Sequence, residues 1–238
     1  GVILLVLALL GWTCSLGITR LRAASPDKPF RLNFLGDLWR EFVWMRTDRD
    51  LWRANLGNSA FFFIAVLVQM NLLLYADQVL HVGSEGLGAL RAAPAVGAVA
   101  MAVTLALWPM KKISAQRLLW VVAGFGACMI GFGLSPYFWL SMFFLALSGM
   151  FDSVSMVIRS TVMQLLTPDN MRGRVSSVNS MFIISSNEIG AFESGLAARM
   201  LGLVPSVVFG GVATLVVVAL TALASPKFRR TVVNADDL

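Results

Sequence analysis

Pro205–Ala224 reads PSVVFGGVATLVVVALTALA, twenty residues without a charged side chain. A helix needs about 20 predominantly apolar residues to cross a hydrocarbon core about 30 Å thick. The run is therefore read as a membrane-spanning helix. Working outward, six further stretches have the same character: Val2–Thr19, Ala54–Tyr75, Gly86–Trp108, Leu118–Leu134, Phe138–Val157 and Val175–Ala198. Gly and Pro punctuate several of the gaps, as at Ser135-Pro136 and Val204-Pro205. No alternation is sustained enough for a β-barrel. The expectation is an all-α integral membrane protein of about seven transmembrane helices.

Composition agrees with that expectation. The chain of 238 residues is 58% hydrophobic and 13% charged, with a mean hydropathy of +0.77. A water-soluble domain is about half apolar and about a quarter charged. So few charges could not clothe a soluble surface of this size. The net charge of +6 does not indicate nucleic acid, because no basic stripe interleaves with stacking aromatics. Cys14 and Cys128 both lie inside apolar runs and are read as small packing residues, not a disulfide. With one histidine, His81, and neither CxxC nor HExxH, no metal site or other cofactor is expected.

The basic residues set the orientation. Arg20–Arg53 holds eight Lys and Arg, Pro109–Arg117 three, Arg159–Arg174 three and the tail after Ala224 three. The alternate loops hold only Arg199, so seventeen of nineteen basic residues fall on one side. By the positive-inside rule that side is cytoplasmic, which puts the C-terminus there and the first residue outside. Four regions follow: a helix at 1–19, a cytoplasmic connector at 20–53, a six-helix bundle at 54–224 and a cytoplasmic tail at 225–238. The connector mixes Phe30, Phe34, Trp39, Phe42 and Trp44 with Arg31, Arg40, Arg46 and Arg49. That mixture suits a short helix lying in the membrane interface; a plain linker helix is the alternative. Gly1–Thr19 has no basic n-region, fits a signal peptide badly, and is read as a helix cut from a longer protein. One helix, a connector and six helices is what a twelve-helix protein of two halves leaves when clipped before its sixth helix.

Charges at lipid depth are costly and mark partners, wet cavities or function. Leu118–Leu134 and Pro205–Ala224 carry none. Arg91 lies on the third helix, Asp152 and Arg159 on the fifth, and Glu188 and Glu193 on the sixth. Counting about 1.5 Å per residue puts Arg91 about 8 Å below its outer end, a depth close to that of Glu193, so an Arg91–Glu193 ion pair is expected. Asp152 and Arg159 are two helical turns apart and share a face. Glu188 sits near mid-membrane without an evident cation. A carboxylate so placed suits the loading and release of a proton, or contact with substrate, a role for which Glu193 and Asp152 are candidates too; Arg91 is read either as a structural partner or as a cation for an anionic substrate.

Thr167-Pro168-Asp169-Asn170-Met171-Arg172-Gly173-Arg174 is the sharpest motif. Thr167 is read as the cap of a helix that begins at Pro168, with Asp169 in its first turn. Arg172, Gly173 and Arg174 then bring two guanidinium groups to the inner surface. There they form, with Arg159, a latch that grips Asp152 or helix ends and closes the cytoplasmic face; a positive-inside anchor is the alternative. Ala89, Ala93 and Gly97 make a small-residue ridge that permits close helix approach. Gly124-Phe125-Gly126 and Gly131-Phe132-Gly133 follow no strand, so they are not a dinucleotide loop.

Pro168-Asp169-x-x-Arg172-Gly173-Arg174-Val175-Ser176, with Ser186-Asn187-Glu188-Ile189-Gly190, resembles the C-terminal half of major facilitator superfamily transporters. Leu87-Gly88-x-Leu90-Arg91-Ala92-Ala93-Pro94-Ala95-Val96-Gly97-Ala98 is similar to the eighth helix of the enterobactin-exporter-like and macrolide-efflux-like branch. The resemblance covers nearly the whole chain. It implies that the seven helices are the sixth to twelfth of twelve, and that the seventh, eighth, tenth and eleventh line a cavity, which adds Asn187 to its residues. It further implies a multi-pass protein of the bacterial inner membrane. Pro109-Met110-Lys111-Lys112-Ile113-Ser114 lacks the acid of the superfamily's cytoplasmic loop motif, so a latch there is degenerate. Leu51–Ser59 is also similar to lysophospholipid-transporter permeases of the superfamily.

The leading expectation is proton-driven export of a small amphipathic molecule, such as a drug or siderophore. Its partners would be protons, membrane lipids and an N-terminal six-helix half. Lipid flipping is the alternative within transport, and a seven-helix receptor the alternative outside it. No nucleophile–base or metal cluster supports an enzyme.

Overall fold

The computed structural model describes residues 2–17, 34–47, 52, 55, 57, 59, 61, 71–110, 112–168, 171–224 and 232–234. They are almost wholly helical: α1 (Val2–Leu16), α2 (Phe34–Thr47), α3 (described over 71–78), α4 (Ser84–Leu107), α5 (Ala115–Leu134), α6 (Phe138–Leu166), α7 (Arg172–Leu201) and α8 (Leu203–Ala224). The chain divides into two units, Gly1–Leu35 and Gly36–Leu238. In the first, the described side chains of α1 are exposed, including Leu9, Leu10 and Trp12.

Among the described residues, α4, α6, α8 and Gln116–Leu134 of α5 are long and apolar enough to cross a membrane. This is an all-α membrane protein. Of the remaining predicted spans, α1 has 15 residues, α7 has 30 but is too polar to meet the same standard, and most of 54–75 lies outside the described residues. One boundary moves substantially. The fifth span was expected to end at Val157, but α6 continues to Leu166 and carries Arg159 well inside it. A short antiparallel ribbon, absent from the sequence reading, pairs β1 (Lys112–Ser114) with β2 (Val232–Asn234). It ties the tail to the basic connection before α5.

In lipid, helices gain little from hiding apolar surface against one another, so close packing has to hold them together. The glycines supply it. A methyl placed on Gly97 of α4 would run into the Ala146 carbonyl of α6, and one on Gly149 of α6 into the Pro94 carbonyl of α4. The ridge noticed in the sequence is thus one half of an interlock. The α5 glycines divide by side. Gly124 and Gly131 receive the rings of Phe151 and Phe144 from α6, at 2.7 and 2.6 Å from an added Cβ. Gly126 and Gly133, displaced by two residues, face Gly211, Val207 and Val208 of α8. Each pair repeats at seven residues, the spacing that keeps two positions on one helical face.

Tyr75 closes the end of α5. It is fully buried, its ring lies 4.5 Å from that of Phe132, and its hydroxyl is 2.8, 3.2 and 3.1 Å from the carbonyl oxygens of Phe132, Gly133 and Ser135. The last carbonyls of a helix have no partner within it, and this hydroxyl donates to that group. Tyr75→Phe should cost about 1–3 kcal/mol, the penalty for an orphaned buried acceptor, read as a lower thermal midpoint in detergent.

The connector helix packs on the bundle with one of its faces. Met45 of α2 is fully buried with Val175 and Val178 of α7, and the ring of Phe42 stacks on Phe182 at 5.9 Å. Trp39 and Val43 remain exposed, so α2 keeps one apolar face for the bundle and another outward.

Candidate functional site

Helix α7 carries three of the expected cavity residues, Asn187, Glu188 and Glu193, and sorts them by face. Val178, Gly190, Ser194 and Ala197 are buried against the bundle. Ser194 accepts a hydrogen bond from Asn71 Nδ2 of α3 at 2.9 Å, which fixes the rotation of α7. Met181, Ile184, Glu188 and Phe192 occupy the opposite, exposed face. Glu188 is near the middle of the helix. Asn187 and Glu193 lie between the two faces, and each has a buried oxygen, Oδ1 and Oε2, without a hydrogen-bond partner among the described residues.

The expected Arg91–Glu193 pair is not formed. Arg91 points away from the bundle on the exposed face of α4, beside Ala92, Ala95 and Val96. No ion pair or hydrogen bond joins the two described side chains. Equal depth does not suffice, because rotation about each helix axis also decides whether two side chains meet.

Asp152 and Arg159 do meet. Arg159 Nη2 stands 3.4 Å from Asp152 Oδ1, and Arg159 Nε donates to the Ser155 carbonyl at 3.2 Å. The guanidinium carbon also sits 4.0 Å from the centre of the Phe61 ring, a cation–π contact across to the helical segment that precedes α3. The sequence reading missed Phe61, and nothing in its local pattern marks it. It also missed the polar atoms around this segment. Asn55 Nδ2 and Oδ1, Ser59 Oγ and Ser155 Oγ are buried without hydrogen bonds among the described residues. The four-residue spacing of Asn55 and Ser59 within an apolar run was the available signal.

The latch motif divides. Asp169 lies outside the described residues. Thr167 was read as the start of a helix but ends α6, because its hydroxyl donates back to the Met163 carbonyl at 2.6 Å. Helix α7 starts at Arg172, after Met171, which offers no side-chain cap. Arg172, Gly173 and Arg174 are exposed, and a Cβ on Gly173 would touch nothing. Arg159 and Arg172 both line a cleft of about 660 Å³ between α6 and α7. Arg174 does not line it.

Three comparisons bear on this arrangement. The Major Facilitator Superfamily family profile matches residues 1–191. The enterobactin exporter EntS of Citrobacter koseri is 30% identical over 152 residues, which is 63% of this chain and 36% of the exporter. The chain thus spans about a third of that relative's length. No solved structure matches. A profile that covers most of the chain, on an all-α bundle, shows the family: the chain belongs to the Major Facilitator Superfamily.

Proposed function

We propose that this chain is the C-terminal part of a proton-coupled exporter of small amphipathic molecules. It works with a further six-helix half by alternating access, in a bacterial inner membrane with the tail in the cytoplasm. One observation carries the reading: Glu188, midway along α7, and Arg91, on the apolar helix α4, are both exposed, where surrounding hydrocarbon would make each charge costly. A watery passage closed by a second helical half would not. Transporters built from two halves place their substrate near the midplane between them.

The division of labour follows from the pairing. Asp152 and Arg159 satisfy one another and tie α6 to the segment before α3. Among the described residues Glu188 has no such partner on its exposed face, and we assign it the coupling proton. Glu193 and Asn187, with their unpaired buried oxygens, stand beside it as further acceptors. Arg91 faces the cavity as a cation for an anionic group. The exporter relative supports outward movement of a siderophore-like cargo.

The test is transport by the reconstituted transporter that contains this chain. An imposed pH gradient should drive movement of an amphipathic dye, and a protonophore should stop it. Movement indifferent to both would overturn the coupling.

A further inference from the structure

Helix α2 meets the bundle at a particular level. Helices α7 and α8 pack together and are joined through Gly202 alone. At about 1.5 Å per residue, the 30 residues of α7 run about 45 Å from that turn and the 22 of α8 about 33 Å. A bilayer core is about 30 Å thick, so α8 ends where hydrocarbon gives way to headgroups. The first two turns of α7 overhang it. Met45 of α2 is buried with Val175 and Val178 of that overhang, and Phe42 stacks on Phe182 at its inner edge. Helix α2 therefore lies at headgroup depth.

Its outward face suits that level. Trp39, Val43 and Arg46 follow one another at four and three residues, which puts them on one side of the helix. Trp39 and Val43 are 66% and 47% exposed, and Arg46 is exposed with them. Arg46 makes no ion pair or hydrogen bond among the described residues, whereas Arg40 beside it takes part in another interaction. The two acids of α2, Asp37 and Glu41, stand two residues either side of Trp39, at positions across the helix axis from it. An aromatic, an apolar side chain and an unshared guanidinium on one face complement the two layers of an anionic lipid surface, acyl boundary and negative headgroup. We propose that this face of α2 binds anionic lipid headgroups of the surrounding bilayer through Arg46, with Trp39 and Val43 set into the acyl boundary. The connector is thereby held by α7 on one side and by the membrane surface on the other.

The test places photoreactive benzoylphenylalanine at position 43 of the transporter that contains this chain, held in nanodiscs of equimolar phosphatidylglycerol and phosphatidylcholine. After illumination, the masses of adducts on the peptide that carries the probe identify what covers the face. Lipid adducts should dominate, with phosphatidylglycerol favoured by about fivefold, the gain expected from one arginine near an anionic surface. Adding Arg46→Gln should bring the two lipids to parity while lipid labelling persists. Val43 and Arg46 are exposed, so both variants should keep the parent's helical circular dichroism and elution volume. A probe at position 39, one turn away, should give the same pattern. Adducts with another helical half or a second copy, an unreacted probe facing water, or equal labelling of the two lipids before Arg46 is changed would each overturn the lipid assignment. No gradient enters the measurement, so proton coupling stands or falls separately.

Discussion

Glu188→Gln should reduce gradient-driven transport to the level of a protonophore-treated control while leaving the yield and thermal midpoint of the folded protein unchanged. The substitution is nearly isosteric and removes only the ability to carry charge and proton. Its site is suited to so clean a test. Glu188 lies on the exposed face of α7 with Ile184 and Phe192, and no described side chain pairs with it. Packing of α7 is set on the other side, by Val178, Gly190, Ser194 and the Asn71 bond. Exchange of substrate across vesicles without a gradient should survive in the variant, because alternating access does not itself consume the proton.

A parallel change at Glu193 separates two roles. Its Oε2 is buried and unpartnered, so Glu193→Gln alters a packed position as well as a charge. A loss of coupling confined to Glu188→Gln assigns the proton to the open face. A loss confined to Glu193→Gln moves it to the packed flank. Full gradient-driven transport in both variants would remove the α7 carboxylates from the mechanism.

Much of the fold was legible because hydrocarbon imposes a blunt length rule. α4, α5 and α8 begin and end within about three residues of the apolar runs, since the breaks at Ser135-Pro136 and before Pro109 are steric as well as polar. α6 was misjudged because Arg159 looked like a marker of the membrane edge. Its charge is instead met inside the helix by Asp152 and across it by Phe61, so the helix need not stop. Spacing along one helix was decisive for that pair. Between helices it was not: Arg91 and Glu193 share a depth, yet nothing in the sequence states how α4 and α7 are rotated. Thr167 failed for a related reason. A hydroxyl at a helix boundary can cap the next helix or bond back to the previous turn, and the residue type is the same for both. The cleft was invisible because it lies between two helices, α6 and α7, whose mutual placement no local pattern records.

Gly149, together with Gly97 of the small-residue ridge, gives the largest structural effect. Gly149→Leu should prevent α4 and α6 from seating, and even Gly149→Ala should lower stability by about 3 kcal/mol, the upper range for forcing atoms into a filled site. A flexible side chain could yield to an added methyl, but here the obstacle is backbone: the Pro94 carbonyl on one side and, at Gly97, the Ala146 carbonyl on the other. The helices would have to separate along the whole interlock, which loosens Leu90 and Ala93 from the core they share with Leu145. Helix propensity works in the opposite direction, since Ala is favoured over Gly by about 1 kcal/mol in a helix interior. A measured loss is therefore packing beyond that gain. Gly88→Ala provides the control within the same helix α4, because a Cβ there meets nothing within 4 Å. It should match or exceed the parent in thermal stability in detergent, with Gly149→Ala and Gly97→Ala both well below. If all three behaved alike, helix propensity alone would account for them, and α4 and α6 would not be in backbone contact.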